Sequence, residues 1–210
     1  MPLTTSAVLA VRNGEEFLAE AIESVLAEGV DELVVVDDGS TDSTPAILDG
    51  YDVVRVTQEG RGQAAALNAG IAVARGDLLA FQDADDLWVP GRQAAMQAAL
   101  TDDVDGVYGS IQQFRGDAVS PVQAAQLLPC LLVRRSSFDR VGMFDENLAS
   151  AANIDWTSRA RAVPLRFAVI DDLAARRRVH DTNHGVVRRA ENRLDLTRVM
   201  RAHLERKRES

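Results

Sequence analysis

The sequence predicts an α/β fold built on a central, mostly parallel sheet flanked by helices. Three observations carry that expectation. Short apolar, β-branched runs alternate with segments of helical spacing across residues 6–100. The runs are apolar at consecutive rather than alternate positions, as strands covered on both faces are, and strands joined by helices run parallel through right-handed crossovers. The polar residues of this half collect just after the strands, at the carboxyl ends where open parallel sheets bind their ligands.

Ala7-Val8-Leu9-Ala10-Val11 is the first strand, followed by the turn pair Asn13-Gly14. Leu18, Ala21, Ile22, Val25 and Leu26 then recur at helical spacing, with Glu15 and Glu16 in the first turn, where the helix dipole favours anions. Leu33-Val34-Val35-Val36 is a second strand that ends abruptly in Asp37-Asp38-Gly39-Ser40. Thr44-Pro45 offers an N-cap and a first helical residue. Val53 to Val56 reads as a third strand, Gln63 to Arg75 as an alanine-rich helix, and Leu78 to Phe81 as a fourth strand ending in Gln82-Asp83-Ala84-Asp85-Asp86.

Beyond residue 104 the signals shorten. Strands are expected near Val104–Ile111 and Leu131–Val133, with one short strand antiparallel in the sheet, and helices near Ser136–Val141 and Asp155–Ala162. Further strands are expected near Leu165–Val169 and Arg177–His180. A last amphipathic helix over about 188–207 sets Leu196, Val199, Met200 and His203 on one side. No internal repeat or low-complexity linker divides the chain, so residues 1–187 read as one domain and the basic helix 188–210 as part of the same unit.

A chain of 210 residues buries roughly 70% of its unfolded surface and needs no disulfide or structural metal to fold. The single cysteine, Cys130, excludes a disulfide framework and a cysteine-rich zinc site. The opening MPLTTSAVLAVRNG lacks the basic region of a secretory leader, and no apolar run approaches the ~18 residues of a membrane span. A cytoplasmic location is the expectation. The net charge of −9 is unevenly spread, with the basic residues concentrated after residue 158. An acidic body repels a phosphate backbone, which argues against nucleic acid as a partner, and a phosphorylated small molecule would need a cation to bind. The basic C-terminal part is a solvated helix face or a surface for lipid, partner or homodimer contact.

The strand-end clusters Val11-Arg12-Asn13-Gly14-Glu15, Asp37-Asp38-Gly39-Ser40 and Asp83-Ala84-Asp85-Asp86 share one sheet edge on this reading. Asp-Gly-Ser alone is ordinary turn chemistry. Carboxylates gathered from adjoining strand ends repel one another, a cost tolerated when a cation or donor groups offset it. Gly60-Arg61-Gly62-Gln63-Ala64-Ala65 fits the dinucleotide G-x-G-x-x-A pattern nominally, but it follows the third strand rather than the first. Its glycines more simply allow close backbone approach to a ligand or helix.

Together these segments resemble family-2 glycosyltransferases with the GT-A (nucleotide-diphospho-sugar transferase) fold. The resemblance rests on Val11-Arg12-Asn13-Gly14-Glu15-Glu16 and the helix after it, Val35-Val36-Asp37-Asp38-Gly39-Ser40-Thr41-Asp42, Gly62 to Gly70, Asp83 to Trp88, and Arg140-Val141-Gly142-Met143-Phe144-Asp145-Glu146. It covers about residues 5–184 in order. It implies that Ala10, Val11, Arg12, Glu15 and Asp38 hold the base and ribose side of a nucleoside-diphosphate sugar, commonly UDP-linked, with Arg61, Gly62, Asn68, Asp83, Ala84 and Asp85 completing the donor site. Arg12 stands where many members have tyrosine. Asp83-Ala84-Asp85 corresponds to the D-x-D motif, with Asp85 the main ligand of Mn²⁺ or Mg²⁺ and Asp83 assisting. Arg178-Val179-His180-Asp181-Thr182-Asn183 resembles a late R-x-H-x-x-N motif, in which His180 completes the metal or diphosphate shell. Arg176, Arg177 and Arg178 are candidates for further diphosphate contacts.

One departure stands out. Inverting members use a carboxylate as general base, in a context like Glu-Asp-Ile-Asp-Trp followed by an arginine. Here the stretch reads Ala152-Asn153-Ile154-Asp155-Trp156-Thr157-Ser158-Arg159, so Asn153 occupies the base position. An amide accepts no proton at neutral pH. Asp155 could act instead, the acceptor could arrive ionised, or the chain could bind donor without efficient turnover. The acceptor, whether saccharide, lipid, peptide or small molecule, is open. A non-catalytic sugar-nucleotide-binding protein is the leading alternative. A nucleotidyltransferase is disfavoured by the 140–146 and 178–183 segments, and a nicotinamide dehydrogenase by its misplaced glycines.

Overall fold

Seven residues, Thr5–Val11, form the central strand β1 of the computed structural model, which describes residues 2–148, 151–181 and 194–201. The elements follow as α1 (Leu18–Leu26), β2 (Glu32–Asp37), α2 (Thr44–Leu48), β3 (Val54–Thr57), α3 (Gln63–Val73) and β4 (Leu78–Asp83). Then come β5 (Leu87–Trp88), α4 (Arg92–Ala99), β6 (Gly106–Arg115), β7 (Ala118–Val119) and β8 (Gln123–Ala124). A 3-10 turn at Leu128–Cys130 leads into β9 (Leu131–Arg134), α5 (Ser136–Val141), α6 (Ala152–Ala160) and β10 (Phe167–Arg178).

The sheet runs in the order β3-β2-β1-β4-β9-β6-β10-β5. Strands β1 to β4 pair in parallel, as β6 and β10 do, while β9 inserts antiparallel between β4 and β6. Strand side chains alternate between faces, and each face buries its own core. Val8, Val34, Val36, Leu79 and Phe81 face α3 and the aromatic group Phe138, Phe144 and Trp156. Ala7, Leu9, Val35, Leu78 and Ala80 face α1 and Met96 of α4. No helix of the described residues is long and apolar enough to cross a membrane.

Several local expectations are corrected. The N-cap of α2 is Ser43, not Thr44. The Thr44 hydroxyl is taken by the Gly14 backbone N–H at 2.8 Å, and Asp42 accepts the Thr44 N–H at 3.0 Å, so the cap shifts by one residue. Helix α6 begins at Ala152 rather than Asp155. The strands expected at 165–169 and 177–180 are one strand, β10, with register shifts between Val169 and Ala175. Asp171 and Asp172 lie exposed at that irregularity and interrupt the apolar pattern without ending the strand. In the C-terminal helix, described at 194–201, Asp195 and Val199 are buried whereas Leu196 and Met200 are exposed. The packed stripe is therefore set by the four-residue step from 195 to 199, not by the apolar residues alone. The remainder of the 188–207 expectation, His203 included, and the 187/188 division lie outside the described residues, as does Asn183.

Candidate functional site

Parallel register brings the strand ends together. Val11 pairs with Asp37 and Ala10 with Asp83, so the residues following β1, β2 and β4 share one rim. There a cavity of about 650 Å³ opens, lined by Ala10, Val11, Arg12, Asp38, Arg61, Gly62, Asp83, Ala84, Asp85 and His180 of the expected set. Arg177, one of the three arginines expected at the diphosphate, also lines it, as do Phe17, Gln63, Asp86, Glu146, Asn147 and Leu148.

Asp38 is buried, and its carboxylate is committed to the glycine turn. It accepts the Gln58 side-chain amide at 2.6 Å and the Arg61 N–H at 2.7 Å on one oxygen, and the Gly62 N–H at 2.8 Å on the other. This fixes the turn that starts α3. Gly60 and Gly62 both have positive φ, 60° and 96°. A Cβ on Gly60 would sit 3.2 Å from the Arg12 guanidinium, so glycine permits that arginine to lie against the turn. Asp37, by contrast, accepts the Ser40 N–H at 2.9 Å in its own turn and lies 3.9 Å from the Arg55 guanidinium of β3.

On the opposite side, His180 Nε2 lies 3.0 Å from Asp85 Oδ2, and the imidazole packs against Phe17 with ring centroids 5.0 Å apart. The end of β10 braces this acidic loop. The Arg178 N–H donates to Asp86 Oδ1 at 2.9 Å, and its Nε donates to the Asp85 carbonyl at 3.1 Å. Arg178 is itself held by Glu20 at 2.6 Å and by the Phe17 ring at 4.5 Å. Desolvation, then the charge of Asp85, pushes the Asp83 carboxyl above its ordinary range, against the opposing pull of Arg177. Asp86 is pushed up in the same way by burial and then by Asp83 and Asp85, against the Arg178 N–H and Arg177. Crowded carboxylates of this kind gain from a cation.

The donor atoms fit Mg²⁺ or Mn²⁺ bound through few protein ligands. Asp85 Oδ2 and His180 Nε2 are hydrogen-bonded at 3.0 Å, which sets a carboxylate oxygen and an imidazole nitrogen side by side on the cavity wall, where both could serve such an ion. Among the described residues no three acidic, histidine or cysteine side chains converge on a point, so most of the shell would come from water or substrate phosphate.

Glu15, Asn68, Asn153 and Asp155 stand off the cavity wall, as do Arg176 and Arg178 of the expected arginines. The Glu15 carboxylate accepts the Ser43 N–H at 3.0 Å and so belongs to the start of α2. Asn68 brackets the 144–146 loop, donating to the Phe144 carbonyl and Glu146 at 3.0 Å each and accepting the Phe144 N–H at 3.0 Å. Together with Arg61, which pairs with Glu146 at 2.8 Å, it sets the far wall. Asn153 accepts the Ile154 N–H at 2.9 Å. Asp155 is buried and bonds Arg159 at 2.7 Å, whose guanidinium donates to the Val141 and Met143 carbonyls at 2.7 Å each. Glu146 was legible as part of the 140–146 segment, but its place in the cavity was not. Gln63 belonged to the Gly60–Ala65 and Gly62–Gly70 segments without a role of its own, and Phe17, which precedes α1, carried no signal of a place in the cavity.

The chain is similar to known proteins in sequence and in fold. The chain is 36% identical over 135 residues to an uncharacterized glycosyltransferase of Nostoc sp., a match covering 60% of this chain and 42% of that protein. It is 31% identical over 211 residues to the succinoglycan biosynthesis protein ExoU of Rhizobium meliloti, covering 80% and 60%. The chain thus spans less than two thirds of these relatives. Among solved structures, S. aureus TarS 1–349 superposes with a TM-score of 0.74 at 21% identity, covering 97% of this chain and 65% of that one. The mannosyltransferase PcManGT of Pyrobaculum calidifontis, in complex with GDP-Man and Mn²⁺, gives 0.75 at 18% identity, covering 98% and 65%. The shared architecture is the GT-A fold. The description of glycosyl transferase family 2 matches residues 6–152, and the chain belongs to that family.

Proposed function

We propose that the protein transfers a sugar from a nucleoside-diphosphate donor, UDP-linked, to an acceptor, with inversion and dependent on Mn²⁺ or Mg²⁺. The observation that carries this reading is the convergence, in one cavity, of the Asp38-pinned turn at the start of α3 with the Asp83, Asp85 and His180 cluster. Ala10, Val11, Arg12 and Asp38 border the nucleoside side. Asp85 would be the main side-chain ligand of the metal, with His180 and Asp83 beside it and water or phosphate filling the rest of the shell. When bound, the metal supplies Lewis-acid neutralisation of the charge on the departing diphosphate. The N-terminus of α3, with Gly62, Gln63 and Ala64 on the wall, adds a positive dipole end facing the same space. UDP as the nucleotide is supported by the complex of TarS with UDP, a structural neighbour at 20% identity.

A second reading has its own support. On the family resemblance Asn153 stands at the base position, where its amide accepts no proton, and the Asp155 carboxylate is engaged by Arg159. A chain that binds donor and turns it over slowly fits these contacts. One experiment tests both: binding and hydrolysis of UDP- and GDP-sugars, each with Mn²⁺ and with EDTA. Metal-dependent binding of a nucleotide sugar supports the site. Binding without measurable transfer supports the second reading, and absence of binding under every condition overturns both.

A further inference from the structure

We infer that Arg177 supplies the donor cavity with a metal-independent cation for the leaving diphosphate. This rests on the donor-site reading and extends it. Strand β10 divides its arginines by the two-residue alternation of a strand. Arg176 and Arg178 turn toward the Phe114 ring, 4.6 and 4.8 Å from its centre, and Arg178 is fastened to the Asp85 carbonyl and Glu20. Arg177 turns the other way and lines the cavity with Asp83, Asp85, Asp86 and His180.

Arg177 is half-buried, and among the described residues its guanidinium makes no hydrogen bond or ion pair. It stands close enough for its charge to act on Asp83 and Asp86, yet bonds neither. A guanidinium carries five N–H donors in a planar fork matched to paired phosphate oxygens. Half-buried donors of that number want an acceptor, and the cavity offers an incoming anion. The other arginines of the wall are placed differently: Arg12 lies against Gly60, and Arg61 is paired with Glu146. The surrounding carboxylates would repel a diphosphate when no metal is present, so Arg177 carries the attraction that remains on that side.

The test is calorimetry with UDP and UMP (GDP and GMP if the guanine series binds), in Mn²⁺ and in EDTA. In EDTA the intact protein binds the diphosphate roughly tenfold or more tightly than the monophosphate, the size of a charge-assisted phosphate contact. Arg177→Met removes that preference and leaves monophosphate affinity unchanged, while Arg177→Lys keeps part of it. Equal affinity for UDP and UMP in EDTA, no UDP binding in EDTA, or a preference that survives Arg177→Met overturns the inference. The comparison within the intact protein decides even if a variant misfolds. Binding of neither nucleotide in Mn²⁺ would instead overturn the donor site itself, and Arg177 with it.

Discussion

Asp85 is the residue on which the metal reading turns, because its carboxylate faces His180 while its carbonyl is gripped by Arg178. Asp85→Ala removes a hard oxygen ligand and leaves the backbone contact intact. Mn²⁺-dependent UDP affinity should fall by about tenfold or more, the cost of one charged ligand, with UMP affinity in EDTA unchanged; calorimetry reading the same Mn²⁺ increment in the variant would reject the assignment. Asn153 tests the other half of the chemistry. A positioned general base contributes ~10²–10⁴-fold, and Asn153→Asp restores a carboxylate of nearly the same shape. Turnover at saturating donor should rise within that range while donor affinity stays constant; a wild type already fast on a neutral hydroxyl, and silenced by Asp155→Asn, would move the base to Asp155. At this scale the sequence made the acidic residues legible, because aspartates cluster in turns at strand ends. It did not make their partners legible. Asp38 is held by Gln58, Arg61 and Gly62, more than a helix away along the chain, and only the parallel pairing of β2 and β3 brings that turn into reach.

Helix α3 shows how an element is placed for the site. It is alanine-rich, with Ala64, Ala65 and Ala66 buried, and Gly70 approaches β1 so closely that a Cβ would lie 2.4 Å from Val8 Cγ1 and 3.2 Å from Val36 Cγ2. Small side chains let the helix sit low on the sheet, which brings Gly62 and Gln63 to the cavity. Gly70→Ala should therefore overpack the contact at a cost of about 1–3 kcal/mol, lowering Tm by roughly 2–4 °C per kcal/mol for a chain of this size. A melting curve unchanged by the substitution would show that α3 can shift. The strands β1, β2 and β4 are legible as consecutive apolar runs because they are buried on both faces, whereas the edge strand β3 shows the same kind of run although most of it is exposed. Helix α4 was not, because its buried face carries Arg92 and Gln93. Arg92 lies over Trp88 at 3.7 Å and donates to the Pro129 and Leu131 carbonyls at 3.3 and 3.1 Å, a polar anchoring that no hydrophobic periodicity reveals. The continuity of β10 was hidden for the related reason that exposed Asp171 and Asp172 mark a bulge, not a turn.

Across the whole molecule, charge and packing divide between the acidic body and the basic C-terminal part. The body gathers its carboxylates at the cavity, and Arg177 of β10 and His180 just after it bring basic side chains to that rim from the later half. The C-terminal helix contributes differently. Val199 joins the core on the α3 and Trp156 face, whereas Leu194, Leu196 and Met200 remain exposed, and none of the described residues 194–201 borders the cavity. Its packing was legible only in outline: the sequence marks an amphipathic helix, but which stripe turns inward depends on the surface it meets, and the buried stripe includes Asp195, whose carboxylate lies 3.4 Å from Arg198. Full burial of a valine is worth about 1.5–3 kcal/mol, so a chain ending at residue 187 should melt several degrees lower, given roughly 2–4 °C per kcal/mol. Val199→Asp in the full chain should do the same by placing an unpaired charge in the core. Both variants should retain Mn²⁺-dependent nucleotide affinity as long as they remain folded, because the groups proposed to bind the donor lie at the ends of β1, β2, β4 and β10 and at the start of α3. A truncated protein with native circular dichroism but no nucleotide binding would show that the C-terminal helix belongs to the site, and would place the division between body and helix on the wrong side of the chemistry.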